Sequence, residues 1–195
     1  MILLIAVFLG LTAGFARARI NGTTYQSVEL KSIGLVLLAY LPQLFAFFLP
    51  STRTRIPDNW IPIILIGSQI ILLYFAWINR KHPGFRLLCM GLFFNFLVIV
   101  LNGGMMPLPP ENAAKLVPLG SDLQLEIGQR AGFGKDVILL KNDTNLWFLG
   151  DIFMLPEWIN YPLAYSLGDI LISIGAFWLL FELGNPKNNS TEVSP

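Results

Sequence analysis

The chain holds one cysteine, Cys89, and one histidine, His82, among 195 residues. A lone thiol inside an apolar run rules out a disulfide within the chain and a cysteine-based metal site. The histidine sits in the basic turn Arg80-Lys81-His82-Pro83-Gly84-Phe85-Arg86. No second imidazole or nearby acid offers to share a metal with it, and the acids are expected on the opposite side of the protein, so no Ser-His-Asp set is available. Charge is equally scarce: 13% of residues are charged, and 13 Lys and Arg stand against 12 Asp and Glu. These bases are scattered, so the clustered positive field that nucleic-acid binding needs is missing. No glycine loop ends in Lys-Ser or Lys-Thr, and no closely spaced run of oxygen ligands forms a calcium loop. The expectation is therefore no catalytic set, no metal site, no cofactor and no nucleic-acid partner.

What the chain has in abundance is apolar surface. It is 54% hydrophobic and 13% aromatic, with a mean hydropathy of +0.63, which belongs in a bilayer. The apolar runs predict an all-α polytopic membrane protein of about five transmembrane helices, residues 1–195 forming one membrane domain. Met1 to Ala16 lacks the basic start of a secretory signal and reads as the first span. Ala16-Arg17-Ala18 has the small-residue form of a cleavage site, so a removed leader is the alternative. The second span runs from Ser32 to Pro50, where Pro42 predicts a kink, and Gln43 either satisfies a freed carbonyl or bonds a neighbouring helix. The third runs from Trp60 to Asn79, with the polar notch Gly67-Ser68-Gln69. The fourth covers Leu87 to Asn102 and the fifth Tyr161 to Leu183. Residues 184–195 form a polar, disordered cytoplasmic tail.

Short cytoplasmic loops carry the excess of Lys and Arg. One side collects Arg17, Arg19, Lys31, Arg80, Lys81, Arg86 and Lys187, against Arg53 and Arg55 on the other. The expected location is the plasma membrane with the N-terminus outside and the C-terminus inside, and residues 103–160 form an exterior cap between the fourth and fifth spans. In this cap a short helix starts at Pro109-Pro110-Glu111 and runs to Val117. Leu123 to Gly134 is ambiguous. Val137 to Leu140 and Asn145 to Phe148 flank Lys141-Asn142-Asp143-Thr144 as a small hairpin. Pro156-Glu157-Trp158 reads as an interfacial anchor. The seven acids of the cap, among them Asp122 and Glu157, slightly outnumber its bases. Glycosylation patterns at Asn21, Asn142, Asn188 and Asn189 are too cheap to carry weight.

Three groups of residues stand out. Ala6, Gly10 and Gly14 put small side chains on one face of the first helix, either as a packing groove or as residues a membrane helix simply tolerates. Asn95 and Asn102 share a face of the fourth helix with Gly91 and Val98, and lipid cannot satisfy their amides. Ser166, Asp169 and Ser173 share a face of the fifth. Counted from Tyr161, Asp169 lies about 12 Å into that span, the one acid well inside an apolar run. It should pair with Asn95, Asn102 or an arginine, be protonated, or touch water; it serves either function or a buried structural bond. Gly103 and Gly104, followed by Pro107, form a helix stop or, alternatively, expose amides to an anion. Asp151, after Gly150, reads as a turn or cap, and Asp169 likewise follows a glycine, Gly168.

Asn102-Gly103-Gly104-Met105-Met106-Pro107, Thr144-Asn145-Leu146-Trp147-Phe148-Leu149-Gly150-Asp151 and Ser166-Leu167-Gly168-Asp169 occur in that order. In this pattern, over nearly its whole length, the chain resembles an uncharacterised family of bacterial integral membrane proteins, domain of unknown function 5317 (DUF5317). The resemblance implies topology and motif placement and brings no established activity. The leading expectation is a non-enzymatic accessory or assembly subunit, meeting membrane lipid and other membrane subunits or copies of itself through the cap and the Gly10-Gly14 face. Bound lipid or pigment is compatible with it. The alternatives are a transport or permeation protein that uses Asp169, and an enzyme acting on a lipid-linked substrate at the exterior face.

Overall fold

The computed structural model describes residues 1–116, 125–156, 158–159 and 161–185. The helix end at Val117, the start of the ambiguous segment, Asp122, Glu157, Lys187, the sequons at Asn188 and Asn189 and the rest of the polar tail lie outside these residues. The fold is mostly helical. Three helices, α1 (Ile2–Ile20), α4 (Ile61–Ile78) and α5 (Pro83–Leu101), contribute segments long and apolar enough to cross a membrane. Two further apolar helices are shorter. One is α2 (Gly34–Gln43), which continues as a π-helical turn over Leu44–Phe48; the other is α7 (Leu167–Glu182). Pro42 cannot donate its backbone bond, and two residues on the chain widens so that the Leu49 amide reaches the Leu44 carbonyl. The small helices are α3 (Pro50–Arg53) and α6 (Pro110–Leu116).

Three expected boundaries move. Helix α1 runs on through Arg17 and Arg19 to Ile20 rather than ending at Ala16. Helix α5 starts at Pro83, where proline fits the first helical turn, rather than at Leu87. Helix α7 starts at Leu167 rather than Tyr161, because Ala164–Tyr165 is extended and pairs with Phe153–Met154. Asp169 is consequently a first-turn residue and not a mid-span acid.

The bundle is built on close backbone approach. Helices α5 and α7 run antiparallel with Gly91 facing Gly168 and Gly84 facing Gly175, each glycine pair separated by seven residues along its helix. A Cβ at Gly91 would stand 2.5 Å from the Gly168 carbonyl oxygen, and one at Gly175 2.6 Å from that of Gly84. Helix α1 runs parallel to α7 on another side. Its Gly10 faces Phe177 and its Gly14 faces Leu180, where a Cβ would lie 2.5 Å from the carbonyl oxygen. The small-residue face of α1 is thus filled by the same chain; Gly10 and Gly14 are buried, and Ala6 is half-buried.

Polar side chains tie the ends of the bundle. At one end the Asn79 carboxamide accepts from the Lys31 amide (2.9 Å) and donates to its carbonyl (3.1 Å), and Arg17 meets Glu182 at 3.4 Å. Arg80, Lys81 and Arg86 lie at this end, beyond α4 and in the first turn of α5. At the other end sits the cap. Strand β1 (Met106–Leu108) pairs in parallel with β2 (Asp136–Ile138), and β3 (Phe153–Met154) pairs antiparallel with β4 (Ala164–Tyr165). Leu108, Ala113 and Ile138 form a small buried core. Arg130, its side chain nearly buried, fastens the cap to the α3–α4 connection through Asp58 at 2.8 Å and closes its own loop on the carbonyls of Phe133 and Gly134.

The expected hairpin over 137–148 does not form. Val137 and Ile138 pair with the distant β1, a long-range contact with no local signature. Lys141–Asp143 coils as a 3-10 turn capped by Thr144 donating to the Leu140 carbonyl, sending Asn145–Leu149 back toward α5.

Replacing Gly91 with Ala is expected to cost about 1–3 kcal/mol by forcing α5 and α7 apart. Gly67→Ala, which meets nothing within 4 Å, should be neutral or stabilise by up to about 1 kcal/mol. Thermal unfolding of both variants in nanodiscs checks the pair.

Candidate functional site

The site begins with Asn95, buried on the face of α5 that it shares with Gly91 and Val98. Its carboxamide donates to Asp169 Oδ1 at 2.9 Å and accepts from Ser166 Oγ at 2.9 Å. Ser166 and Asp169 form the reciprocal N-terminal cap of α7: the Asp169 amide donates to Ser166 Oγ (3.0 Å) and the Ser166 amide to Asp169 Oδ2 (3.2 Å). Gly168 leaves the room that Asn95 fills, since a Cβ there would overlap the Asn95 side chain. Each polar residue of Ser166-Leu167-Gly168-Asp169 therefore has a contact that explains its type. Ser173, expected on the same face, is buried with no hydrogen-bond partner for its hydroxyl among the described residues.

Asn102 does not join this cluster. It donates to the Val98 and Asn145 carbonyls and accepts from the Asn145 amide at 2.9 Å, while Asn145 donates to the Leu101 carbonyl. Gly103 and Gly104 take positive φ, and the Gly104 amide closes on the Ile99 carbonyl, so the pair terminates α5. Gly104 also lies against Pro62. The Pro107 carbonyl accepts from the Asp151 amide at 3.0 Å, and Gly150 packs beneath Pro107. The three motifs meet where α5, α7 and the cap join.

Asp151 is buried, and its Oδ2 meets Lys135 Nζ at 2.6 Å; Lys135 also reaches Asp136 at 3.2 Å. Burial, only partly offset by Lys135 and reinforced by Asp136 and Asp169, pushes the Asp151 carboxyl above its ordinary value. Burial opposes the Lys135 charge, but Asp136, Asp151 and Asp169 outweigh it and raise that amine above its ordinary value. Asp151 Oδ1 is buried without a partner among the described residues. Lys135 gave no sign of this role in the sequence. It lies 16 residues from Asp151 in an irregular segment where periodicity says nothing.

Beneath the cap, between the start of α1 and helices α2, α4, α5 and α7, lies a cavity of about 500 Å³. Leu72, Phe75, Leu88, Leu92 and Ile172 make its walls apolar, and Gln43, Gln69, Asn95, Lys135 and Asp169 add polar groups. Gln69 Oε1 is buried with no hydrogen-bond partner among the described residues. The volume falls within the roughly 300–1,000 Å³ typical of small-molecule sites. Among the described residues no three His, Cys, Asp or Glu side chains come together to hold a metal ion.

Fold and site define a mostly helical bundle with membrane-length apolar helices, a polar cap over one end and a part-polar cavity beneath it. The chain belongs to the Family of unknown function (DUF5317), whose profile matches residues 27–181 and so takes in all three motifs. It is also similar to an uncharacterized protein of Thermotoga maritima, with 30% identity over 137 residues that cover 69% of this chain and 71% of that one. No solved structure matches.

Proposed function

We propose that this chain is a multi-pass membrane protein that holds a small amphipathic molecule in the cavity beneath its cap. The observation that carries the reading is the cavity's lining: apolar walls with Lys135, Asp169 and three carboxamides among them, one with an orphaned oxygen. A buried acceptor without a partner costs about 1–3 kcal/mol, which a donor on a bound molecule would recover.

The membrane reading takes α1, α2 with its π-helical extension, α4, α5 and α7 as five alternating passes. It draws on the exposed apolar belt of Leu4, Phe8, Leu37, Phe48, Ile63 and Trp77, larger than water tolerates on a monomer. Gathering of Arg17, Lys31, Arg80, Lys81 and Arg86 at the end opposite the cap supports a cytoplasmic basic end and an exterior cap.

The other readings have less behind them. The Gly10-Gly14 face, on which an accessory role is expected to draw, is filled by α7 of the same chain. Asp169 caps the first turn of α7 and is bonded there, which suits a fixed wall of a binding site better than a relay halfway across a bilayer. Asp151 is buried and its Oδ2 is bound by Lys135, which makes this acid a poor candidate for chemistry at the exterior face.

Two outcomes are expected. With Cys89 replaced by Ser, a membrane-impermeant maleimide should label an Asn142→Cys variant in intact cells and a Lys81→Cys variant only after lysis; the reverse pattern would overturn the orientation. Native mass spectrometry of the protein in nanodiscs should find one small molecule, distinct from bulk lipid, retained at about one per chain. Leu72→Trp, which fills the cavity, should lose it while still unfolding cooperatively. Equal retention by both proteins would sink the binding reading.

A further inference from the structure

The outer surface carries a second feature, independent of the cavity. On α4, Ile70, Leu73, Tyr74 and Trp77 recur at i, i+3, i+4 and i+7; on α5, Cys89, Met90 and Phe93 continue the same spacing from Arg86. The two stripes face one another across a groove of about 740 Å³. The α4 stripe runs into Arg80 and the α5 stripe begins at Arg86, so both cations stand at the same end of an otherwise apolar trough. Arg80 is held there. Its guanidinium lies 4.2 Å from the centre of the Trp77 ring and donates to the Trp77 carbonyl at 2.9 Å. Arg86 Nε donates to the Arg80 carbonyl at 3.4 Å, which ties the two together. Among the described residues no carboxylate lies within 4.0 Å of either arginine. Both side chains are exposed.

We infer that this groove is a site for one anionic phospholipid of the basic-end leaflet, its acyl chains along the α4–α5 trough and its phosphate between Arg80 and Arg86. Charge complementarity selects the occupant: two unpaired guanidinium groups fit phosphate oxygens, and apolar walls fit acyl chains. The length agrees. From Ile70 to Arg80 the stripe rises about 15 Å at about 1.5 Å per residue, half of a roughly 30 Å hydrocarbon layer and hence one leaflet. The inference rests on the membrane-spanning reading and not on the cavity. Failure of that reading would show in the maleimide pattern, and failure of the lipid site would show in lipid retention alone.

The test places the full chain in nanodiscs of equal phosphatidylglycerol and phosphatidylcholine and counts retained lipid by native mass spectrometry. Wild type should keep phosphatidylglycerol in preference to phosphatidylcholine. The Arg80→Gln/Arg86→Gln double variant should lose that preference by about thirtyfold, at about a fivefold loss per arginine, and Arg55→Gln, at the cap end, should leave it unchanged. A second readout uses Cys89, which lines the groove: N-ethylmaleimide should modify it more slowly in phosphatidylglycerol than in phosphatidylcholine for wild type, and at one rate in both lipids for the double variant. Equal retention of the two lipids by wild type, an unchanged preference in the double variant, or a Cys89 rate indifferent to headgroup would each overturn the inference.

Discussion

One carboxamide ties α5 to the start of α7. Asn95 projects from the middle of α5 into the space left by Gly168 and binds both members of the α7 cap, Ser166 and Asp169. Away from water neither an amide nor a carboxylate can remain unpaired without cost. The arrangement satisfies them together and fixes the height of α7 against α5. The glycine pairs follow from it. Only with Gly91 opposite Gly168 and Gly84 opposite Gly175 can the backbones come close enough for Asn95 to reach across.

The cap depends on this junction in turn. Because α7 begins at Leu167, the chain before it must arrive extended, and it does so as β4 against β3. Asn102 holds Asn145 above the end of α5, and Asp151 is drawn under Pro107 and closed by Lys135. The cavity is what remains between the close-packed α5–α7 pair, the α2–α4 pair and the start of α1, under the cap. Asn95, Lys135 and Asp169 both line it and hold the fold together, whereas Gln69 lines it with an oxygen that has no partner among the described residues.

Much of this is legible in the sequence. The apolar runs located the long helices, and the charge bias separated a basic end from a cap end. Helical spacing put Gly91, Asn95 and Val98 on one face, and the need to satisfy an amide away from water pointed to Asn95 as one partner for Asp169. The start of α7 is hidden because hydropathy does not distinguish extended Ala164–Tyr165 from helix, although Ser166-Leu167-Gly168-Asp169 carries a capping signature ahead of an apolar run. The β1–β2 pairing and the Lys135–Asp151 contact were illegible for a different reason. They join distant, irregular segments, where no period survives to be read. The use of Gly10 and Gly14 inside the chain rather than between chains was equally beyond the sequence, since a small-residue face fits any close helix.

The most direct test of the Asn95 junction is a double-mutant cycle on Asn95→Ala and Asp169→Ala, with unfolding free energy measured on the full chain in mixed micelles. If the carboxamide and the capping acid stabilise each other across α5 and α7, the cycle should return a coupling of about 1–2 kcal/mol, at the upper end for hydrogen bonds between membrane helices. A coupling near zero, with the two losses simply adding, would mean that α5 and α7 are held by their glycine contacts alone and that Asn95 is not the residue on which the fold depends.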